Sequence, residues 1–155
     1  MTASDSSAKC EECGAILPEG KLCGEYLEEM IKWDFEDFLG VGQIHHLTVL
    51  CYYLQHPSLY SREGLADGKD FLREFVVKDV SFSEHDARNR ERLSSSVRDW
   101  KIKGTPENHG AYAAKPAWEM TAKDIVEAGL GDYVGNVKKW SRSVYASLEK
   151  SGNLN

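Results

Sequence analysis

The segment that decides the fold is GQIHHLTVLCYYLQHP, residues 42–57. It is the most apolar stretch of the chain, and Pro57 ends it because proline lacks the N–H that a helix needs. Positions 45, 48, 52 and 56 recur at helical spacing, so their polar side chains share one face. The segment therefore predicts a helix over residues 43–55 with a polar stripe that faces either solvent or a site.

Amphipathic patterns on both sides of this segment predict further helices. The strongest run over residues 22–38 and 133–148, and weaker ones over residues 65–77, 83–97 and 121–129. Two capping boxes, Ser83 with Asp86 and Thr121 with Asp124, mark helix starts. The expected fold class is mostly α, a single helical, bundle-like domain.

The chain length suits one domain, since 155 residues fall within the usual range of about 100–200. Residues 1–9 are small and polar and predict a disordered tail, and residues 10–155 form the expected domain. Within it, residues 10–21 read as an irregular, turn-rich loop that resembles a zinc knuckle. Residues 101–117 read as a long loop before the C-terminal helices, and loops of that length are usually mobile or functional.

Charge and composition disfavour two classes of partner. The net charge of −6 is opposite in sign to that of most proteins that bind nucleic acids through phosphates. No apolar run approaches the ~20 residues needed to span a bilayer, and MTASDSSAKC lacks the features of a secretory signal. We therefore expect a cytoplasmic protein without membrane contact, where stable disulfides are rare.

The stretch CEECG, Cys10 to Gly14, carries the clearest chemical signal. Two thiolates at this spacing can reach one tetrahedral zinc ion, and the glycine permits a tight turn. A redox pair of the thioredoxin type would follow a strand and open a helix, and no strand precedes Cys10. Glu11 and Glu12 also disfavour an exposed thiolate by like charge. The pattern thus favours Zn²⁺ over redox chemistry.

Two sulfurs do not close a structural zinc site, so further donors are required. Cys23, in the first turn of the first helix, and His45, on the polar stripe, are the best completing pair, which gives a Cys3His site. Cys51 lies among apolar residues and is expected to be a buried thiol. His85 is expected to be solvated, and Asp34 is expected to lie with its acidic neighbours on an exposed face.

Three stretches together resemble a known family: CEECGA, HHLTVLCYYLQHP and MTAKDIVEAGLGDYVGNVKKWSRSVYASLEK. They are similar to an uncharacterised bacterial family, a domain of unknown function. Its pattern joins Cys-x-x-Cys-Gly-Ala, one further cysteine, His-x-Leu-Thr-Val-x-x-Tyr-x-x-Gln-His-Pro and a C-terminal helix containing tryptophan. The resemblance implies that a real site includes Cys10, Cys13, Cys23, His45, Thr48, Tyr52 and His56. It implies no activity.

The residues leave the biochemical role open between two main hypotheses. In the first, zinc is structural and ties the N-terminal loop to the first two helices, and the protein binds an unknown protein or small-molecule partner. In the second, the protein is a metal-dependent enzyme with an open coordination position, and Tyr52 and His56 are acid–base candidates. A thiol redox protein is a third, less favoured hypothesis.

Overall fold

Helices dominate the computed structural model, which describes residues 8–36, 44–93 and 100–154. The six helices in this part of the chain are α1 (Cys23–Phe35), α2 (His45–Gln55), α3 (Arg62–Val77), α4 (Phe82–Leu93), α5 (Ala122–Ala128) and α6 (Tyr133–Lys150). An antiparallel hairpin, β1 (Ala8–Lys9) and β2 (Ile16–Leu17), precedes them. The predicted fold class, mostly α, is confirmed.

Helix α2 lies at the centre of the domain and contacts α1, α3 and α6. Its Leu47, Leu50 and Leu54 are at most 2% exposed. Cys51 is fully buried among them, which confirms the expectation of a core thiol. Because burial of each such side chain contributes about 1.5–3 kcal/mol, α2 is held mainly by its apolar body.

The polar stripe of α2 faces other side chains rather than solvent over most of its length. Thr48, Tyr52 and His56 are at most 5% exposed, whereas the His45 side chain is 31% exposed. The Thr48 hydroxyl lies 3.3 Å from the Tyr133 hydroxyl of α6. A buried polar row needs partners, so the stripe indicates where other elements supply donors and acceptors.

Helix α4 begins at Phe82, so its capping residue lies two residues before the predicted Ser83. The N–H of Glu84 donates to the Ser81 hydroxyl at 3.1 Å, so Ser81, and not Ser83, supplies the cap. The box at Thr121 is confirmed, because the Thr121 N–H donates to the Asp124 carboxylate at 2.8 Å. Ser and Thr caps of this kind typically contribute ~1 kcal/mol.

The long connection packs against the residues that follow α2. Ser61 N–H donates to the Ile102 carbonyl at 2.8 Å, and Gly104 N–H donates to the Leu59 carbonyl at 2.9 Å. A Cβ at Gly104 would collide with the carbonyl oxygens of Ser58 and Tyr60, so the close backbone approach requires glycine. This packing carries residues 115–118 to the N-terminal hairpin.

Several predicted features fall outside the described residues: positions 1–7 of the tail, Phe38 in the first helix, Gln43 at the start of the second, and positions 94–97 of the fourth. Ala8 and Lys9, placed in the tail by the sequence, form β1, so the expectation that no strand precedes Cys10 was wrong. The strand leads into a hairpin turn and not into a helix, unlike the setting of a thioredoxin-type pair. No helix in the described part of the chain combines the length and the apolar character needed to cross a membrane.

Candidate metal centre

The Cys-x-x-Cys segment is the turn of the N-terminal hairpin. Cys10 N–H donates to the Ala15 carbonyl at 2.9 Å, and Gly14 N–H donates to the Cys10 carbonyl at 2.8 Å. Gly14 has φ of +82°, in the left-handed region that favours glycine. The glycine after the second cysteine is therefore explained by the turn itself.

Four side chains from three separate segments converge beside this turn. Cys10 and Cys13 come from the hairpin, Cys23 is the first residue of α1, and His56 follows the last residue of α2. Their ligand atoms all lie within 4.8 Å of one another. This Cys3His group could hold a metal ion.

The separations within the cluster match those between ligands on one tetrahedral ion. Cys13 Sγ and Cys23 Sγ are 3.7 Å apart. His56 Nε2 lies 3.5 Å from Cys10 Sγ and 3.3 Å from Cys23 Sγ. Tetrahedral zinc with ordinary bond lengths would place sulfur about 3.8 Å from sulfur and about 3.6 Å from nitrogen. Little movement would be needed to close a coordination shell.

His56 is oriented as a metal-binding histidine requires. Its Nδ1 lies 2.7 Å from the Tyr52 carbonyl oxygen, which can only accept, so Nδ1 carries the proton. In the neutral ring the Nε2 lone pair then points toward the sulfurs. The Tyr52 ring stacks on the imidazole, with centroids 4.0 Å apart. Such outer contacts fix the tautomer and the ring orientation of a ligand.

Without a metal, the hydrogen bonds within the cluster shift the pKa values of its members in different directions. The Cys13 thiol donates to Cys23, and this bond, with a further contribution from His56, lowers the pKa of Cys23 to about 4. The same bond, aided by burial, raises the pKa of Cys13. Burial disfavours a charged His56, but its hydrogen bonds to Cys10 and Cys23 outweigh this and raise its pKa to about 10. A thiolate, the form that binds metals, is therefore present near neutral pH.

Side chains outside the cluster clamp the hairpin in place. The Glu12 carboxylate accepts from the N–H and the hydroxyl of Ser58, at 3.1 and 2.7 Å. Trp118 Nε1 donates to the Glu12 carbonyl at 3.1 Å, and the Lys115 ammonium donates to the Glu11 carbonyl. The end of the long connection thus supports the turn that carries the cysteines.

His45, the expected fourth donor, lies elsewhere. It is the first residue of α2, and His56 follows the last, so the two are about 16 Å apart along the helix axis at ~1.5 Å per residue. The cluster is at the C-terminal end, and His56 lies there beside Cys10, Cys13 and Cys23. Helical spacing puts both histidines on one face, but it does not say which end of the helix the hairpin reaches.

His45 instead bonds to a carboxylate that was expected to be exposed. Asp34 is 2% exposed, so its assignment to the acidic surface of α1 was wrong. His45 Nδ1 lies 3.1 Å from Asp34 Oδ2, and the Tyr133 hydroxyl donates to Asp34 Oδ1 at 2.5 Å. Buried carboxylates persist only with such partners. Those partners come from α2 and α6, which α1 alone does not reveal.

A second buried histidine pair lies between α2 and α4. His85 was expected to be solvated and is fully buried, which makes that expectation wrong. Its Nε2 lies 3.2 Å from the Phe71 carbonyl, and its Nδ1 lies 2.5 Å from His46 Nε2. His46 Nδ1 lies 3.4 Å from the Asp86 carboxylate. The contacts of His85 are hydrogen bonds, and the contact with Asp86 is an ion-pair distance. Helix α4 is too polar for its sequence to predict a buried histidine.

Comparison with known sequences gives one family. The profile of a family described as "Family of unknown function (DUF5946)" matches residues 8–149. The matched range contains all four residues of the cluster, and it confirms the resemblance to a domain of unknown function. No curated protein and no solved structure matches the chain.

Proposed function

The chain belongs to the family of unknown function DUF5946, and we propose that it is a zinc-binding protein whose ion has a structural role. The ligands are Cys10, Cys13, Cys23 and His56. The ion ties the N-terminal hairpin to the start of α1 and to the C-terminal end of α2. The domain so completed presents surfaces for a protein or small-molecule partner.

One observation carries this proposal: three sulfurs and one imidazole nitrogen lie within 4.8 Å of one another. The residues come from positions 10, 13, 23 and 56, so no local turn accounts for their meeting. Closed sites of the Cys3His type are among the usual structural zinc sites. Soft thiolates also favour zinc over magnesium, calcium or manganese, which prefer oxygen.

The number of ligands favours a structural ion over a catalytic one. Catalytic zinc usually has three protein ligands and an open position for water, whereas four protein ligands fill the tetrahedron. Cys13 and His56 are also 3% and 5% exposed, which leaves little approach for a substrate from their side. Tyr52, with its ring stacked on His56, then supports a ligand.

Zinc binding is large enough to decide whether the hairpin is folded. It contributes about 10–16 kcal/mol in isolated finger peptides, against a total stability of about 5–15 kcal/mol for a typical domain. The hairpin has only two paired residues on each strand, which is too little to be stable alone. We therefore expect removal of the ion to lower the melting temperature, with the contacts of Glu12 and Trp118 and the hydrogen bonds among the cysteines and His56 left to hold the hairpin.

Elemental analysis of protein purified without a metal-affinity tag tests the proposal. We expect about one zinc per chain. The double variant Cys10→Ser/Cys13→Ser should lose the zinc and melt at a lower temperature. Cys51→Ala is the matched control, because Cys51 is a buried thiol outside the cluster and its loss should leave zinc content unchanged.

Three results would contradict the proposal. Full zinc occupancy in the double variant would exclude these ligands. X-ray absorption that finds three protein ligands and one water would exclude the closed structural site and favour the enzyme hypothesis. A disulfide between Cys13 and Cys23 in freshly purified protein would favour redox chemistry instead.

A further inference from the structure

A cavity of about 290 Å³ lies beside the N-terminal half of α2, away from the cysteine cluster. Its walls include Leu50, Tyr53, Tyr60 and Ile102, and its polar lining includes His45 and Lys103. Small-molecule sites are typically apolar pockets of roughly 300–1,000 Å³ with a few converging polar groups. The volume of this cavity lies just below that range and is large enough to hold a single-ring molecule, since a cavity of about 150 Å³ can hold benzene.

Two histidines line this cavity, and in one of them, His45, Nδ1 is bonded to a carboxylate, which leaves Nε2 as the ring nitrogen for a ligand. Asp34, a buried carboxylate, lies 3.1 Å from Nδ1 of His45, so that nitrogen carries the proton. The neutral ring then has its lone pair on Nε2. The side chain is 31% exposed, and it lines the cavity. A buried carboxylate that fixes a histidine in this way also stabilises the imidazolium formed when Nε2 accepts a proton.

Asp34 is itself held firmly. The Tyr133 hydroxyl donates to its Oδ1 at 2.5 Å, and hydrogen bonding to both carboxylate oxygens keeps the side chain in one position. Tyr133 is 1% exposed and its pKa is raised, first by burial and then by Asp34, so the hydroxyl stays protonated and remains a donor. Asp34 therefore acts as a positioning residue for His45.

We propose that this cavity binds a small hydroxyaromatic molecule whose hydroxyl group donates a hydrogen bond to His45 Nε2. The walls specify the ring: Tyr53 and Tyr60 pack edge to face with centroids 5.2 Å apart, beside Leu50 and Ile102. The lone pair on Nε2 specifies a donor on the ligand, because an acceptor would face another lone pair. Lys103, at the exposed rim, complements a negative oxygen.

Binding of an acidic phenol includes a balanced proton transfer. The phenol O–H bond breaks, an N–H bond forms at His45 Nε2, and the electron pair stays on the phenolate oxygen. Asp34 faces the resulting imidazolium and Lys103 faces the phenolate. Of the other charged neighbours, His46 also lines the cavity and lies 3.4 Å from Asp86, and Arg90 lies 2.7 Å from the same carboxylate.

Titration of the full-length protein with p-nitrophenol tests the proposal, because its phenolate form absorbs visible light. Phenol and p-nitroanisole, measured by calorimetry, are the matched probes; the second has the same ring and no donor. We expect saturable binding of both phenols, growth of the phenolate band with p-nitrophenol, and binding of p-nitroanisole weaker by about tenfold or more.

Three variants separate the role of His45 as hydrogen-bond acceptor from the positioning role of Asp34. His45→Gln should abolish the phenolate band, and Asp34→Asn should reduce it several-fold while binding of p-nitroanisole is retained. His109→Gln, on the long connection and outside the cavity, is the control and should behave as wild type. If His45→Gln or Asp34→Asn fails to fold, NMR measurement of the His45 ring nitrogens in the wild-type protein replaces that variant. They should shift with p-nitrophenol and not with p-nitroanisole.

The proposal is overturned if neither phenol binds saturably, if p-nitroanisole binds as tightly as the phenols, or if His45→Gln keeps the phenolate band. An unshifted His45 signal in the wild type would overturn it as well. None of these outcomes bears on the zinc proposal, because His45 and Asp34 are not members of the cysteine cluster.

Discussion

The two ends of α2 place histidines in opposite chemical settings. At the C-terminal end, His56 Nε2 lies 3.3–3.5 Å from two sulfurs. At the N-terminal end, His45 and His46 lie 3.1 and 2.5 Å from an oxygen of Asp34 and a nitrogen of His85. His56 thus belongs to a group of four possible metal ligands, whereas His45 and His46 each lie in a pair with a partner atom at hydrogen-bond distance.

The difference teaches that the number and type of the surrounding donors distinguish a possible metal site from a hydrogen-bonded pair that contains the same residue type. Ligands on one zinc ion are held about 3.3–3.8 Å apart by the ion between them. Hydrogen bonds between nitrogen and oxygen atoms bring the heavy atoms to about 2.5–3.2 Å. Hydrogen bonds to sulfur are longer, 3.3–3.7 Å in the cysteine cluster, so it is the convergence of four possible ligands, and not distance alone, that indicates an ion there. In the described part of the protein, one end of α2 therefore carries a group that could hold a metal ion, and the other carries hydrogen-bonded pairs.

The largest expected effect is a difference in zinc affinity between two variants, each with one histidine at one end of α2 replaced by glutamine. His56→Gln should weaken zinc binding by about 100-fold or more, because a closed site loses one of its four ligands. His46→Gln should leave zinc affinity unchanged and cost about 1–3 kcal/mol of stability, because buried His85 loses its partner. Competition with a chromophoric chelator and denaturant unfolding measure the two effects. Equal zinc loss in both variants would contradict the comparison.

A moderate effect is expected on the stability of the metal-free protein, which should change with pH because the cysteine cluster shifts the pKa values of its members. Cys23, whose pKa falls from 9.0 to about 4, contributes stability above pH 9.0 that is lost as pH falls through about 4. His56, whose pKa rises from 6.5 to about 10, contributes stability below pH 6.5 that is lost as pH rises through about 10. Between pH 6.5 and 9.0 the folded and unfolded chains bind equal numbers of these protons.

Stability of the metal-free, reduced protein should therefore rise from pH 4 to 6.5, change less between pH 6.5 and 9.0, where the contributions of Cys23 and His56 offset each other, and fall toward pH 10. Unfolding in denaturant at a series of pH values, with chelator and reductant present, measures this profile. Cys23→Ser should remove the rise at low pH. A profile of the unsubstituted protein that is flat between pH 4 and 6.5 would show that Cys23 is not a thiolate there.

The smallest expected effect lies between the two ends. Thr48→Val keeps the shape of a fully buried side chain and removes its hydrogen bonds to the Ile44 carbonyl and the Tyr133 hydroxyl. The cost should be about 0.5–1.5 kcal/mol, since Tyr133 still donates to Asp34. Zinc content and the His45 signals should not change. A change in both would mean that the two ends are coupled through α2.

Much of the fold could be predicted because helix formation is written in local patterns. The apolar body of residues 44–55, the stop at Pro57 and the capping box at Thr121 each depend on neighbours a few residues away. The prediction of the α4 cap at Ser83 instead of Ser81 is a small local error, because both serines near the start of the helix offer a hydroxyl.

The surroundings of the buried polar residues could not be predicted in this way. The burial of Asp34 depends on Tyr133, which is 99 positions away, and that of His85 depends on His46, 39 positions away. A polar residue on a helix surface pattern looks the same whether solvent or a distant partner satisfies it. The assignment of both as exposed therefore failed for the same reason.

The sequence by itself determined the helices, the turn that carries two thiols, and the presence of more donors than one turn can supply. Only the tertiary structure decided which donors meet. Helical periodicity fixes the face on which a side chain lies but not the neighbour at either end of that face. The packing of the hairpin against the C-terminal end of α2 therefore placed His56 with the cysteines and left His45 to Asp34.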